Sequence, residues 1–195
     1  MFTGIIETVG RLRNLEKSGG NINFFVESTI SKELNIDQSV SHNGVCLTVV
    51  DLIDGGHVVT AVEETLTRSN LGILKAGEEI NLERSMPASG RFDGHIVQGH
   101  VDEVGICSEI LEKDGSFEFE FQYALNSKNI TVEKGSICIN GVSLTCYDSG
   151  PDKFKVTIIP YTYGHTNFKF LKLGNKVNLE FDIIGKYIQR ILSHN

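Results

Sequence analysis

Two stretches, SVSHNGVCLTVVD at residues 39–51 and SICINGVSLTCYD at residues 136–148, are versions of one sequence and decide how this chain is organised. They lie 97 residues apart (39 to 136) and share seven of 13 positions. Two further pairs follow the same order at nearly the same spacing: LKAGEEINLE (74–83) with LKLGNKVNLE (171–180), and GIIETVG (4–10) with GHVDEVG (99–105). Such ordered self-similarity indicates a tandem duplication.

The duplication predicts two domains, at residues 1–95 and 96–182, and a tail at 183–195. The stretch SMPASGRFDG (85–94) contains Ser, Gly and Pro and is typical of a linker. A chain of 195 residues is long enough to bury two small cores.

Both halves show the pattern of short β-strands. FEFEF (117–121) places three Phe on one face and two Glu on the other, and VNLEF (177–181) alternates in the same way. FKVTII (154–159) is rich in β-branched residues. About six such strands in each half, separated by Gly-containing turns, predict an all-β fold of two small closed barrels.

The end of the chain is different. Five apolar residues recur at helical spacing and predict a short amphipathic helix: Ile184, Tyr187, Ile188, Ile191 and Leu192. A helix of about ten residues needs a packing partner. The spacing does not decide between the chain's own barrel and the helix of another subunit.

Composition narrows the class of function. A formal net charge of −7 argues against nucleic acid or an anionic membrane as partner. No apolar run approaches the roughly 20 residues of a membrane span, and the first residues lack a signal-peptide pattern, so we expect a cytoplasmic protein. Four cysteines without a CxxC pair predict free thiols and no structural metal site.

Several motifs together resemble the riboflavin synthase family. They are the MFTGII start, the two NGVxLT boxes, NLER (81–84), GHIVQGHVD (94–102) and DIIGKY (182–187), and they span essentially the whole chain. The resemblance implies two six-stranded Greek-key barrels, each binding one 6,7-dimethyl-8-ribityllumazine. It also implies a homotrimer joined through C-terminal helices, an active site between the N-barrel of one subunit and the C-barrel of its neighbour, and no metal or organic cofactor. Lumazine synthase is a further candidate partner.

The reaction that this resemblance implies is the last step of riboflavin biosynthesis. One lumazine gives four carbons to the other, and the products are riboflavin and 5-amino-6-(ribitylamino)uracil. Two related barrels would hold two identical substrates face to face, and proximity of this kind contributes on the order of 7 kcal/mol or more.

Differences between the copies indicate the reactive groups. Cys46 aligns with Ser143, and His100 aligns with Ile5. By resemblance Cys46 is a candidate nucleophile, although free cysteines are more often buried and inert. Histidine is the side chain suited to proton transfer near neutral pH, so His100 could move substrate protons, or it could be an ordinary strand histidine. His95, in the linker region, ranks lower.

Other polar residues have weaker claims. Ser39 and Ser143 could orient a nucleophile or a water, while Asn81 and Asp182 match family positions linked to catalysis; each also fits a plain polar position. The substrate-binding residues implied by the resemblance, which could supply backbone groups and apolar faces to a flat heterocycle, are Gly4, Ile5, Ile6, Cys46, Leu47, Thr48, Thr60, Ala61, Val62, Glu63, Glu64, Thr65, Gly99, His100, Val101, Lys134, Ser143, Leu144, Thr145, Ile158, Ile159, Pro160, Tyr161, Thr162 and Tyr163.

Two other classes compete with an enzyme of this family. A non-catalytic lumazine- or flavin-binding fluorescent antenna protein would share the barrels but tends to lose one pocket and the reactive residues, whereas both boxes, Ser39, Cys46 and His100 are present here. A flavin-binding barrel of an oxidoreductase would need a nicotinamide-binding domain, and the sequence contains no GxGxxG.

Overall fold

The computed structural model describes residues 1–125 and 129–194, and within them the strands form two closed antiparallel barrels of six strands each. The first contains β1 (Thr8–Ser18), β2 (Asn21–Glu27), β3 (Ser39–His42), β4 (Val45–Ile53), β5 (Gly56–Ala61) and β6 (Glu79–Arg84). The second contains β7 (Glu103–Lys113), β8 (Ser116–Gln122), β9 (Ser136–Ile139), β10 (Val142–Tyr147), β11 (Lys153–Ile158) and β12 (Lys176–Phe181).

The order of strands is the same in both barrels. Around the first it runs β1-β2-β5-β4-β3-β6, and the second repeats it as β7-β8-β11-β10-β9-β12. Because β2 pairs with β5 and β3 with β6, non-consecutive strands are neighbours, as in a Greek key. The predicted all-β, duplicated six-stranded Greek-key fold is therefore confirmed.

Short helices connect some of the strands. α1 (Glu63–Arg68) follows β5 and α2 (Pro160–His165) follows β11, and each leads into a 3-10 turn, at Asn70–Ile73 and Asn167–Phe170. The chain ends with α3 (Ile183–Leu192), whose first turn is capped by the Asp182 carboxylate accepting from the Ile184 N–H.

Each barrel has its own apolar core, built from inward-facing strand residues. The predicted alternation of FEFEF is confirmed, because Phe119 and Phe121 are fully buried and Phe117 packs against the same core. The first core centres on residues such as Leu12, Val49 and Ile80. In the described ranges no helix has the length and apolarity that a membrane crossing requires.

The polar faces of β6 and β12 differ from what alternation alone suggests. Asn81 and Glu83 on β6, and Asn178 and Glu180 on β12, are all at least 96% buried. An alternating strand is expected to turn its polar face to water. Here that face lies against the other barrel, so the polar residues are buried between the two halves.

Asparagines join the barrels through reciprocal hydrogen bonds. The Asn81 amide donates to the Asn140 carbonyl at 2.9 Å, and the equivalent Asn178 amide donates to the Asn43 carbonyl at 2.8 Å. The Asn70 N–H donates to Asn178 Oδ1, as the Asn167 N–H does to Asn81 Oδ1. This reciprocity is what two copies docked about an approximate twofold axis produce.

The two NG turns touch at that axis. Gly44 and Gly141 both have a positive φ, of 79° and 85°. A Cβ on Gly44 would lie 2.7 Å from the Gly141 backbone nitrogen. Glycine is therefore required at this position both by its backbone conformation and by the close approach of the barrels.

The apolar stripe of α3 lies in solvent in the single chain. Its five residues Ile184, Tyr187, Ile188, Ile191 and Leu192 are 53–68% exposed, and none of the ten helix residues is buried. The predicted helix is confirmed, and the alternative that it packs its stripe on its own barrel is wrong.

Candidate functional site

Cys46 lies on the outer face of the first barrel. It follows the NG turn on β4 and pairs with Ser41 on β3, while Val45 and Leu47 on either side point into the core. Ser39 and Thr48 pair with each other two positions further along. Since side chains alternate along a strand, Ser39, Cys46 and Thr48 share this outer face.

A segment from the start of the second half covers Cys46. The Cys46 N–H donates to the Gly99 carbonyl at 2.9 Å. Gly99 has φ 81°, and a Cβ there would lie 2.5 Å from the Cys46 Cβ. The next residue, His100, is exposed beside it, and Val101 packs against the core of the first barrel.

The same arrangement occurs at the second box with the halves exchanged. The Ser143 N–H donates to the Gly4 carbonyl at 2.8 Å, and a Cβ on Gly4 would lie 2.5 Å from the Ser143 Cβ. Ile6 packs against the core of the second barrel. Each box is thus covered by the segment that precedes the opposite barrel, a crossing that the repeat pattern did not reveal.

These contacts create a cavity beside Cys46, which we call the first pocket. Its volume is about 410 Å³. Its lining brings together predicted residues from both halves with several that the sequence did not single out: Val45, Cys46, Glu64, Thr65, Arg68, Ser69, Gly99, His100, Val101, Asp102 and Lys186. We call the region around Ser143 and Gly4, which is defined by the equivalent backbone contacts, the second pocket.

Two buried carboxylates hold the covering segments. Glu180 accepts the backbone N–H groups of Gln98, Gly99 and His100 at 2.6–2.9 Å. Burial raises the pKa of Glu180 to about 6, and the three hydrogen bonds oppose that rise because they favour the ionised form. The carboxylate therefore fixes the backbone on which His100 is carried.

Glu83 does the same for the second pocket. It accepts from the Thr3 N–H and hydroxyl at 2.7 Å and from the Gly4 N–H at 3.0 Å. Burial also raises the pKa of Glu83. Glu83 and Glu180 are the matching glutamates of the two NLE segments, so their repeat was the signal that could have identified them.

The second pocket pairs a serine with a histidine. His95 Nδ1 lies 2.6 Å from Ser143 Oγ. Burial lowers the pKa of His95, and the Asp182 carboxylate opposes that change. His95 therefore contacts Ser143 and feels the charge of Asp182. From the sequence alone these three residues are separate candidates, and His95 ranks below His100.

Some predicted binding residues contribute to the barrel interior. Leu47, Ala61 and Ile158 are core residues, and Leu144 packs against the second core. Thr60 donates to Asn23 Oδ1 at 2.7 Å across the strand pair. Leu47 and Leu144, which neighbour Cys46 and Ser143 on their strands, therefore point into the cores and away from the covering segments.

Equivalent helices flank the two boxes. Val62 precedes α1 and Ile159 precedes α2, and both are exposed. Of the remaining predicted binding residues in these two segments, the first half contributes Glu63, Glu64 and Thr65 and the second half Pro160, Tyr161, Thr162 and Tyr163. The Tyr161 ring stacks on His165 at 4.0 Å and the Tyr163 ring on Phe117 at 3.8 Å, so aromatic surface lies at the second helix.

Asn81, Asp182 and Lys134 are among the polar candidates that lie outside the first pocket. Asn81 is fully buried in the asparagine contacts between barrels, and Asp182 caps α3. Lys134 has φ 63°, and its ammonium lies 5.4 Å from the Tyr147 ring centre. Its structural equivalent is Asp37, which shares the positive φ and the backbone hydrogen bond to the neighbouring strand.

The four cysteines, all within the described ranges, are free thiols. Cys107, Cys138 and Cys146 are buried, and burial raises the pKa of each, to about 11 for Cys107 and about 12 for Cys146. Only Cys46 is partly exposed. In the described ranges no group of three or more His, Cys, Asp or Glu side chains is placed to hold a metal.

Duplicated barrels with one covered box each define the class of protein. A lumazine binding domain model matches the chain twice, at residues 3–85 and 98–182. Riboflavin synthases are similar over 98% of this chain: that of Actinobacillus pleuropneumoniae is 41% identical over 90% of its own length, and that of Mycobacterium tuberculosis strain H37Rv is 38% identical over 98%. The chain belongs to the riboflavin synthase family of lumazine-binding proteins.

Solved structures support the fold. LumP complexed with 6,7-dimethyl-8-(1'-D-ribityl) lumazine superposes with a TM-score of 0.84 at 20% identity, covering 93% of this chain and 99% of the LumP chain. The LumP complex with riboflavin gives a TM-score of 0.85 at 22% identity, with the same coverage. At such identities the likeness concerns the fold alone.

Proposed function

We propose that this chain is a transferase that converts two molecules of 6,7-dimethyl-8-ribityllumazine into riboflavin and 5-amino-6-(ribitylamino)uracil. The observation that carries the proposal is the pair of equivalent contacts, in which each NGVxLT box lies under a crossing glycine segment. Two like pockets suit a reaction whose two substrates are the same molecule.

The reaction needs no outside reagent. One lumazine loses four carbons and the other gains them, so the atoms of two substrates equal those of the two products. No net oxidation or reduction occurs. The protein therefore has to bind, orient and move protons, which side chains can do.

The two pockets carry different reactive groups, as a donor and an acceptor require. In the first, Cys46 and the exposed His100 lie side by side, and we assign them the nucleophile and the proton transfer. Ser39 on the same strand face is the alternative partner for a nucleophilic water. In the second, Ser143 is hydrogen-bonded to His95, which lies in the field of Asp182.

The exposed stripe of α3 supports assembly. A helix whose apolar residues are more than half exposed is unstable alone in water and becomes stable against like helices. We propose a homotrimer that brings the first pocket of one subunit to the second pocket of its neighbour. The proposal includes a cytoplasmic location, which the four free thiols support, and lumazine synthase stays a candidate partner.

The test follows visible absorbance after the protein is mixed with the lumazine in buffer containing a chelator. Riboflavin should appear at half the rate of lumazine loss. Cys46→Ala and His100→Ala should keep ligand binding and lose turnover by about 100-fold or more. A wild-type protein that binds lumazine and leaves it unchanged would instead be an antenna protein, and full activity in both variants would remove their assigned roles.

A further inference from the structure

An ion pair holds the segment that covers Cys46 to the C-terminal helix. The Lys186 ammonium on α3 donates to Asp102 at 2.9 Å (Oδ1) and 2.7 Å (Oδ2). Asp102 Oδ2 also accepts the Phe181 N–H at 2.8 Å. The two charged side chains are only 20% and 24% exposed, so water screens this pair less than it does an open surface pair.

Lys186 also acts on Glu180, the carboxylate that holds residues 98–100 at the other end of the segment. It lines the first pocket, and its charge opposes the rise in the pKa of Glu180 that burial causes. Lys186 thus favours the ionised carboxylate, the form that can accept all three N–H groups of residues 98–100. The covering segment depends on Lys186 through Asp102 and through Glu180.

The second pocket obtains its cation from a different element. Glu7, the equivalent of Asp102, accepts the Arg84 N–H at 2.6 Å and the Arg84 guanidinium at 2.6 and 2.8 Å. Arg84 belongs to β6 of the barrel itself. Its equivalent on β12 is the uncharged Phe181, and α3 supplies the missing cation.

We propose that Lys186 is a positioning residue that couples the packing of the C-terminal helix to the geometry of the first pocket, and that the second pocket lacks this coupling. Docking of α3 against another subunit would fix the helix and with it Lys186, so assembly would hold the Gly99–His100 backbone over Cys46. The inference rests on the proposed function for its consequence on catalysis and on the proposed trimer for the docking of α3.

Alkylation of Cys46 by iodoacetamide, without ligand, measures how firmly the segment covers it. Cys46 is the one cysteine that is not buried among the four, all of which the structure describes, so the reaction reports on this site. Lys186→Met should raise the rate about fivefold, which corresponds to about 1 kcal/mol. Lys186→Arg keeps the cation and should stay within about twofold of wild type.

Arg84→Met is the matched control, because it removes the equivalent cation of the second pocket. It should leave Cys46 alkylation at the wild-type rate. In riboflavin titrations followed by fluorescence, Lys186→Met should weaken the site whose occupation protects Cys46, and Arg84→Met should weaken the other.

Either of two results would overturn the inference: a wild-type alkylation rate in Lys186→Met, or an equal increase in Arg84→Met, which would mean general loosening. The alkylation assay does not depend on turnover. A protein that leaves lumazine unchanged, yet shows faster alkylation in Lys186→Met alone, would refute the proposed function and keep the coupling.

Discussion

Acid should destabilise the first barrel through two buried histidines. His42 and His57 are at least 99% buried, and their Nε2 atoms lie 2.9 Å apart. His42 Nδ1 lies 3.1 Å from the Val40 carbonyl, and His57 Nδ1 lies 2.8 Å from Ser31 Oγ. The second barrel carries Ile139 and Phe154 at the equivalent positions, so the histidine pair belongs to one half alone.

The hydrogen bonds are complete when both rings are neutral. The Val40 carbonyl can only accept, so His42 Nδ1 carries the proton and its Nε2 must accept from His57 Nε2. His57 Nδ1 then accepts from the Ser31 hydroxyl. Protons on both rings would place two N–H groups against each other, and burial opposes the charge of even a single added proton. Burial accordingly lowers the pKa of His42 to about 3 and that of His57 to about 4.

The cost of acid follows from linkage. An unfolded histidine has a pKa of about 6.5, so below that pH the unfolded chain binds protons that the folded chain does not bind. The stability is fully present above about pH 6.5 and is lost as the pH falls towards the folded values of about 4 and about 3. At about pH 5 each histidine costs about 2 kcal/mol, and the two together about 4 kcal/mol. That is a large part of an ordinary folding free energy of about 5–15 kcal/mol.

The assay is urea unfolding of the wild type and of the His42→Ile/His57→Phe double variant, which takes the residues of the second barrel. Ellipticity is followed at about pH 8 and about pH 5, at one protein concentration because assembly affects stability. The wild type should lose about 4 kcal/mol more than the double variant on acidification. Glu83 and Glu180, whose raised pKa values act in the opposite direction, are present in both proteins and cancel.

The reasoning would be refuted if the wild type and the double variant lost the same stability, within about 1 kcal/mol, between these two pH values. Such a result would mean that the folded barrel accepts protons on this pair without strain. Single variants then show whether either histidine alone titrates in the folded state.

Three further outcomes are expected. Gly99→Ala should abolish ligand binding in the first pocket only, because its Cβ would lie 2.5 Å from the cysteine that it covers; equilibrium dialysis should find one site fewer than in wild type. Glu180→Gln should speed Cys46 alkylation about fivefold, because the glutamine amide cannot accept all the N–H groups of the segment over Cys46. Glu83→Gln should not change this rate, because Glu83 holds the segment over Ser143. Equal rates in both variants would contradict the assignment. Asn81→Ala should lower the free energy of unfolding by about 3 kcal/mol, because the Asn140 carbonyl and the Asn167 N–H and amide oxygen lose their hydrogen bonds to Asn81. Urea titration measures this change. Unchanged stability would argue against a role of Asn81 in joining the barrels.

Much of the fold could be predicted because its signals are local. The alternation of Phe117, Phe119 and Phe121 and the helical spacing of the last apolar residues depend only on neighbours in the chain. The candidate site was predicted in part. Cys46, Thr65 and His100 line one pocket, but Asp102 and Lys186, which complete it, carry no local signal.

His95 shows why a histidine's function is hard to assign from sequence alone. It lies in a linker region five residues from His100, and nothing in its neighbours points to Ser143, which is 48 residues away. Only the crossing of the segment from one barrel to the other box brings His95 to that serine. The partner of a side chain on a connecting segment depends on where the segment lies in space.

The repeat alone determined that the chain has two equivalent barrels, because strand patterns, turns and matching boxes are properties of neighbouring residues. Only the tertiary structure decided which half covers which pocket, that Asn81 and Asn178 are buried between the barrels, and that α3 supplies a cation to one pocket. Those features arise when the two barrels dock about an approximate twofold axis. Docking creates contacts such as Asn81–Asn140 and Asn43–Asn178, which lie 59 and 135 positions apart and which no local pattern encodes.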